Sequence, residues 1–321
     1  MEKIKVISDL PDKQYMNNSK VFDVLMFDQT SFEEAIKIDV KVQKNSTIHM
    51  LLKNQSSEEC LCLLPFDSAV MNATYTLYNA GYEAFTLQTL ANTLFGQKKS
   101  RYSNNLLTKI QQSLNKLEKI FVNLDCRDEY RDNRKDCGSW KEVYEGCLLS
   151  LEQKQAFYES NGNPTIAYCF KEQSPVFEYA EHRKQIIQVP SAYFETAQYF
   201  NDTIESMLIK RYVIRRVAQI TSENALYSHK LSLYWEDRST KTTKGLFSDL
   251  GYSPTKTSGW RDKKSSLLTK IKGVLTLLKE LDVIDDYSEY RERNKHAASI
   301  PIQGLTIITS SSHNNIRDKP L

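Results

Sequence analysis

A chain of 321 residues, 40 % hydrophobic and 11 % aromatic, is too long for one small core and too apolar for wholesale disorder, so about two folded domains are expected. The formal net charge of +3 is too small to announce a polyanion binder by itself, and no run approaches the roughly 20 apolar residues of a membrane span. The start Met1-Glu2-Lys3-Ile4-Lys5 lacks a signal-peptide core, and the six cysteines lack paired Cys-x-x-Cys spacing. A cytoplasmic protein with reduced, idle thiols and no membrane or metal partner is therefore expected.

Residues 1–60 are polar and irregular, apart from a short apolar run at Val21–Phe27 and an alternating stretch at Ala35–Val42 that predicts a strand. They read as an N-terminal arm. Asp67 then caps a helix predicted over 67–80, carrying Val70, Met71, Leu77 and Tyr78 and stopped by Gly81. Thr86 caps a second, shorter helix holding Leu87, Leu90, Ala91 and Leu94, and Gly96 ends it.

Lys98-Lys99-Ser100-Arg101 leads into a third helix with an apolar stripe of Leu107, Ile110, Leu114 and Leu117 and a polar face of Asn105, Thr108, Lys109 and Gln112. The period then changes. Phe121–Asp125, Tyr144–Leu151 and Thr165–Phe170 read as strands, separated by a charged excursion at Arg127–Lys135, which is expected to be a solvated loop, and by the turn Asn161-Gly162-Asn163-Pro164. Three helices followed by a β-ribbon is the order of a winged helix.

Ile186–Pro190 closes this domain, and a second set begins. Residues 203–220 are helical in period, with Lys210, Arg211, Arg215 and Arg216 on the polar side. Residues 244–250 predict a short helix ended by Gly251, 262–281 a third helix, and Val283-Ile284 with Thr306–Thr309 a second wing. The tail after Ser310 is expected to fray.

The pentapeptide Leu-Leu-Thr-Lys-Ile occurs at 106–110 and again at 267–271, and Leu114, Leu117 and Val122 recur at the same offsets as Leu275, Leu278 and Val283. Duplication of a helical unit explains this. From Lys241 to Leu281, nine basic residues face three acidic ones, a local charge of +6. The fold class expected is α+β, mainly helical, as two tandem winged-helix domains over 61–190 and 191–321.

If the third helices are recognition helices, Asn105, Thr108, Lys109 and Gln112 in the first and Ser266, Thr269 and Lys270 in the second reach base edges, with Gly273 allowing close approach of DNA. Lys98, Lys99 and Arg101, and then Arg261, Lys263 and Lys264, suit phosphate contacts at the two helix starts. The bland alternative is that both faces are solvated sides of core helices. Trp260 either packs on a sugar-phosphate edge or anchors the turn before the helix. No catalytic residue is expected: no Gly is followed by Lys, which removes the P-loop, and the five histidines include no His-x-His or His-x-x-x-His pair.

The segment Phe66–Ala73 with Tyr78, Gly81 and Phe85-Thr86, then Tyr144–Leu149, Pro175–Ala180, Lys184–Pro190 and Ile209–Arg216, resembles plasmid and mobile-element replication initiators with tandem winged helices, over about residues 61–285. The resemblance implies a cofactor-free initiator that binds repeated origin sequences in double-stranded DNA, helps open the duplex and recruits host replication proteins. It also implies self-repression as a homodimer. A winged-helix transcriptional repressor without origin function and a winged-helix protein-interaction module are the alternatives.

Overall fold

The computed structural model describes residues 5–6, 9–27, 31–43, 46–56, 60–132, 140–158, 164–222, 228–233, 235–236, 243–252, 258–291 and 302–309. The Asn161–Asn163 turn, the end of the charged excursion and the tail after Ser310 lie outside them. The chain divides into two compact units, Met1–Ile187 and Gln188–Leu321. Among the described residues, no helix is long and apolar enough to cross a membrane.

Unit 1 is mixed helix and sheet. A short strand β1 (Lys5–Val6), helix α1 (Lys20–Phe27) and strands β2 (Ala35–Lys41) and β3 (Thr47–Asn54) precede the helical set α2 (Pro65–Asn79), α3 (Leu87–Phe95) and α4 (Asn104–Glu118). Between α2 and α3 lies the short strand β4 (Ala84–Phe85). After α4 come β5 (Ile120–Asp125), α5 (Arg127–Asp132), β6 (Val143–Cys147), the long strands β7 (Ser150–Tyr158) and β8 (Pro164–Glu172), and α6 (Pro175–His182).

These strands form two four-stranded sheets, in the orders β2-β3-β5-β6 and β1-β7-β8-β4. The first is antiparallel throughout: Met50 pairs with Ile38 on one side and Leu124 on the other, and Leu124 pairs in turn with Tyr144. In the second, β7 and β8 make a hairpin, β8 pairs with β4 through Tyr168–Phe85, and β1 adds in parallel.

Several sequence expectations change here. Residues 1–60 are not an arm: Ile48, Met50 and Leu52 of β3 are buried beside Val122 and Leu124 of β5. The strand at 120–125 does not belong to the hairpin that follows α4, because its hydrogen bonds go to β3 and β6 instead. The molecule is therefore mixed rather than mainly helical. The charged excursion is also not simply a solvated loop. Glu129 on α5 is buried and pairs with Arg183 at 2.6 Å, and the Arg183 guanidinium lies 3.7 Å from the ring centre of Trp140. Burial pushes the Glu129 carboxyl up, against the pull of Arg183 and the Tyr179 hydroxyl.

Unit 2 begins at Gln188, within a strand at Ile186–Pro190. It contains α7 (Ile204–Ser222), β9 (Ser228–Ser232), the one-turn α8 (Leu246–Asp249), α9 (Ser258–Glu280), β10 (Asp286–Arg291) and β11 (Ile302–Ile308). Its sheet has the order β9-β11-β10, antiparallel, with Leu305 opposite both Leu231 and Glu289. The core joins Met207, Val213, Ile214 and Val217 of α7 to Leu267, Ile271, Leu275 and Leu278 of α9. Lys210 and Arg211, read as outward positions, are buried: the Lys210 ammonium donates to the Phe194 carbonyl at 2.6 Å, and burial pulls the Arg211 guanidinium down to about 9.

The two units share one connectivity. In unit 1 the order is α2-β4-α3-α4 and then the hairpin β7-β8, with β8 lying between β7 and β4; in unit 2 it is α7-β9-α8-α9 and then β10-β11, with β11 between β10 and β9. Unit 1 differs by inserting β5-α5-β6 between its third helix and its hairpin. The repeated pentapeptide occupies the third helix both times.

Candidate nucleic-acid interface

The third helix of unit 1 is held from beneath. Ile110, Leu114 and Leu117 are buried as the sequence pattern placed them, and Leu106 rather than the half-buried Leu107 is the fourth buried position. Ser113 and Lys116 both reach the buried Asp67 near the start of α2, at 2.6 and 2.7 Å, and Asp67 also accepts the Leu64 amide at 2.8 Å. Charge-assisted bonds of this kind fix the roll of α4 about its own axis. What remains outward is Asn105, Thr108, Lys109 and Gln112, all exposed.

The loop before α4 is equally constrained. Thr86 caps α3 by accepting the Thr89 amide at 3.1 Å, and Gly96 closes that helix in the left-handed region at φ 67°. From α3, Gln88 donates to the Lys99 carbonyl at 2.8 Å and Asn92 accepts the Lys99 amide at 3.0 Å, while Phe95 stacks on Tyr102 at 5.4 Å. Ser103 then caps α4 through the Leu106 amide at 3.3 Å. Lys98 and Arg101 are exposed on this anchored loop, and Lys99 is half-buried with its ammonium 5.7 Å from the centre of the Tyr102 ring. Lys98 pairs with Asp9 at 2.7 Å, and the ammonium beside it holds the Asp9 carboxyl below its ordinary range. Both partners are well exposed, so the pair yields to a competing anion.

The third helix of unit 2 is differently equipped. It starts at Ser258 rather than 262, so Arg261, Lys263 and Lys264 lie within its first turns and not on an approach loop. Arg261, Ser266 and Thr269 are exposed. Lys263 and Lys270 both bond Glu205 of α7, whose carboxylate also accepts the Tyr252 hydroxyl at 2.9 Å. Burial pushes Glu205 up, but the bonds from Lys263, Lys270 and Tyr252 outweigh it and bring the carboxyl down to about 2. Lys264 donates to the Ile302 carbonyl at 2.8 Å, and burial pulls its ammonium down. Lys272 pairs with Glu289 and Lys279 with Asp286, each at 2.8 Å. Much of the local +6 is thus spent inside the unit.

Gly273 is not a DNA-approach position. A Cβ there would stand 3.0 Å from Cβ of Tyr199 and 3.1 Å from the Phe200 ring, so its small size admits the 199–200 segment against α9. Trp260 packs edge-on against Phe247 at 5.4 Å and anchors the helix start. Sequence reasoning missed Glu205, Tyr252 and Glu289. Their one signal was the acidic residue in the first turn of α7, which periodicity does not connect to α9.

No family model matches the chain, and no curated protein matches it. Among solved structures, a selenomethionine crystal structure of domains 2 and 3 of RctB is similar at 13 % identity, covering 91 % of this chain and 96 % of that one with a TM-score of 0.46. A second structure of the same RctB domains is similar at 12 % identity, covering 94 % and 100 % with a TM-score of 0.44.

Proposed function

We propose that the chain is a sequence-specific, double-stranded DNA-binding replication initiator built on two winged-helix units, with α4 and α9 as recognition helices. One observation carries the reading. The third helix of unit 1 presents Asn105, Thr108, Lys109 and Gln112 as a continuous exposed row beside a loop that carries the exposed Lys98 and Arg101 and is tied to α3 through the Lys99 backbone. Amides pair bidentately with adenine and lysine donates to guanine, whereas cations at a helix start contact phosphates. In unit 2, Arg261, Ser266 and Thr269 form the corresponding outward set. The hairpins β7-β8 and β10-β11 take the place of wings beside them.

In this reading both units bind repeated origin sequences, and host replication proteins are recruited to the complex. The test has two arms. Purified protein binds origin-type duplex repeats with an affinity that falls steeply with salt, as several phosphate contacts require, and a plasmid deprived of the gene replicates only when the gene is returned. Binding and promoter repression without rescue of replication would leave a repressor, and no salt-dependent binding to any duplex would leave a protein-interaction module.

A further inference from the structure

We infer that Glu205 sets how strongly unit 2 engages DNA, by occupying two lysines of its recognition helix with an internal carboxylate where a phosphate would otherwise bind. The inference rests on the proposed DNA-binding role of α9 and adds to it an intramolecular competitor. Lys263 and Lys270 lie about two turns apart on one face of α9, and the Glu205 carboxylate on the first turn of α7 bridges them. The Tyr252 hydroxyl donates to the same carboxylate, and the Lys263 ammonium lies 5.4 Å from the centre of the Tyr252 ring.

The geometry is that of a filled anion site. The Glu205 side chain is 21 % exposed, Lys270 18 % and Lys263 39 %, so the cluster is sheltered but reachable from its Lys263 side. Lys270 occupies the same place in the repeated pentapeptide as Lys109, which stands exposed on α4. On α2 the buried carboxylate of Asp67 engages Lys116 and Ser113 instead. One copy of the motif thus offers its lysine outward and the other has it bound.

A phosphate approaching α9 must displace a carboxylate that already makes three charge-assisted bonds, and the two lysines that this carboxylate holds do not replace DNA counterions until it is displaced. The salt dependence of binding should therefore come mainly from unit 1. Glu205→Gln keeps the side-chain volume, removes the charge and frees both ammoniums.

Glu205→Gln in the full chain should bind a fixed duplex more tightly at low salt, and the slope of log affinity against log salt should steepen by about one for each lysine released. Unchanged or weakened binding by a folded Glu205→Gln protein overturns the inference, because Glu205 would then be positioning the lysines for use. The complementary variant, Lys263→Gln with Lys270→Gln in the otherwise native chain, does not depend on Glu205→Gln folding. It should leave the native slope almost unchanged, whereas a loss of about two in slope overturns the inference. Elution from a heparin column separates this inference from the DNA-binding reading: later elution of Glu205→Gln supports the competitor even if no duplex binds, and identical elution refutes it.

Discussion

On the proposed DNA-binding reading, Lys98 and Lys109, eleven residues apart, have different tasks. Lys109 projects from the middle of the exposed face of α4, while Lys98 sits on the preceding loop against Asp9. Lys109→Ala is expected to lower affinity for the preferred site by about 1–3 kcal/mol and to relax discrimination at one base position, whereas Lys98→Ala weakens all sequences alike. Binding isotherms on a panel of single-base variants check this, and equal effects of both substitutions on every duplex would sink the assignment. At Gly273 the expectation concerns packing: Gly273→Leu crowds Tyr199 and Phe200 and should destabilise unit 2 by about 1–3 kcal/mol despite better helix propensity. A denaturant melt with a raised midpoint would contradict it. The polar row of α4 was legible because a period of 3.6 residues states which way a side chain faces. The role of Gly273 was not, because periodicity names a face and never the neighbour pressed against it.

At the scale of elements, the Asp67 carboxylate ties α2 to α4. Its side chain is 3 % exposed and that of Lys116 23 %. Removing one partner of a buried pair leaves the other uncompensated, so Asp67→Ala should cost about 3–5 kcal/mol of unit 1 stability. Urea unfolding followed by a probe confined to unit 1 measures this, and a loss below about 1 kcal/mol would mean that Lys116 finds water. The cap at Thr86, the glycine stop at Gly96 and the three helices around them were readable from local chemistry alone. The sheets were only half readable: alternation marked Ala35–Val42 and Phe121–Asp125 as strands, but nothing in either segment states its partner. The first lies beside β3, and the second pairs with β3 and β6 rather than with the hairpin. Strand pairing is a long-range property, and a single sequence holds little of it.

For the molecule as a whole, charge is the quantity that sequence counting misjudged most. The excess of cations around α9 is real, but Glu205, Glu289 and Asp286 absorb much of it. This has a pH signature. Glu205 titrates at about 2 when folded, against roughly 4.3 in an unfolded chain, so its contribution to stability is complete above the unfolded value and disappears as pH falls from there to about 2. Unit 2 should lose thermal stability across that window. Asp286 and Glu289 are lowered as well and add to the loss, so the part due to Glu205 is the difference between native protein and Glu205→Gln in melts from pH 5 to 2.5. Identical acid profiles would remove Glu205 as a source.

The insertion of β5-α5-β6 into unit 1 also dictates an order of events during synthesis. Strand β3 leaves the ribosome early, but its hydrogen-bonding partner β5 is made only after α2, α3 and α4. Until then the apolar side of β3, with Ile48, Met50 and Leu52, has no sheet neighbour on that edge. Pairings across so long a stretch of chain are slow to form and leave strand edges open to other molecules meanwhile. Unit 2 carries a similar delay, because β9 pairs with β11, which is made only after α8, α9 and β10. A truncation that discards residues 35–54 uncovers Val122 and Leu124 of β5 and is therefore expected to yield an aggregating fragment rather than a minimal folded domain.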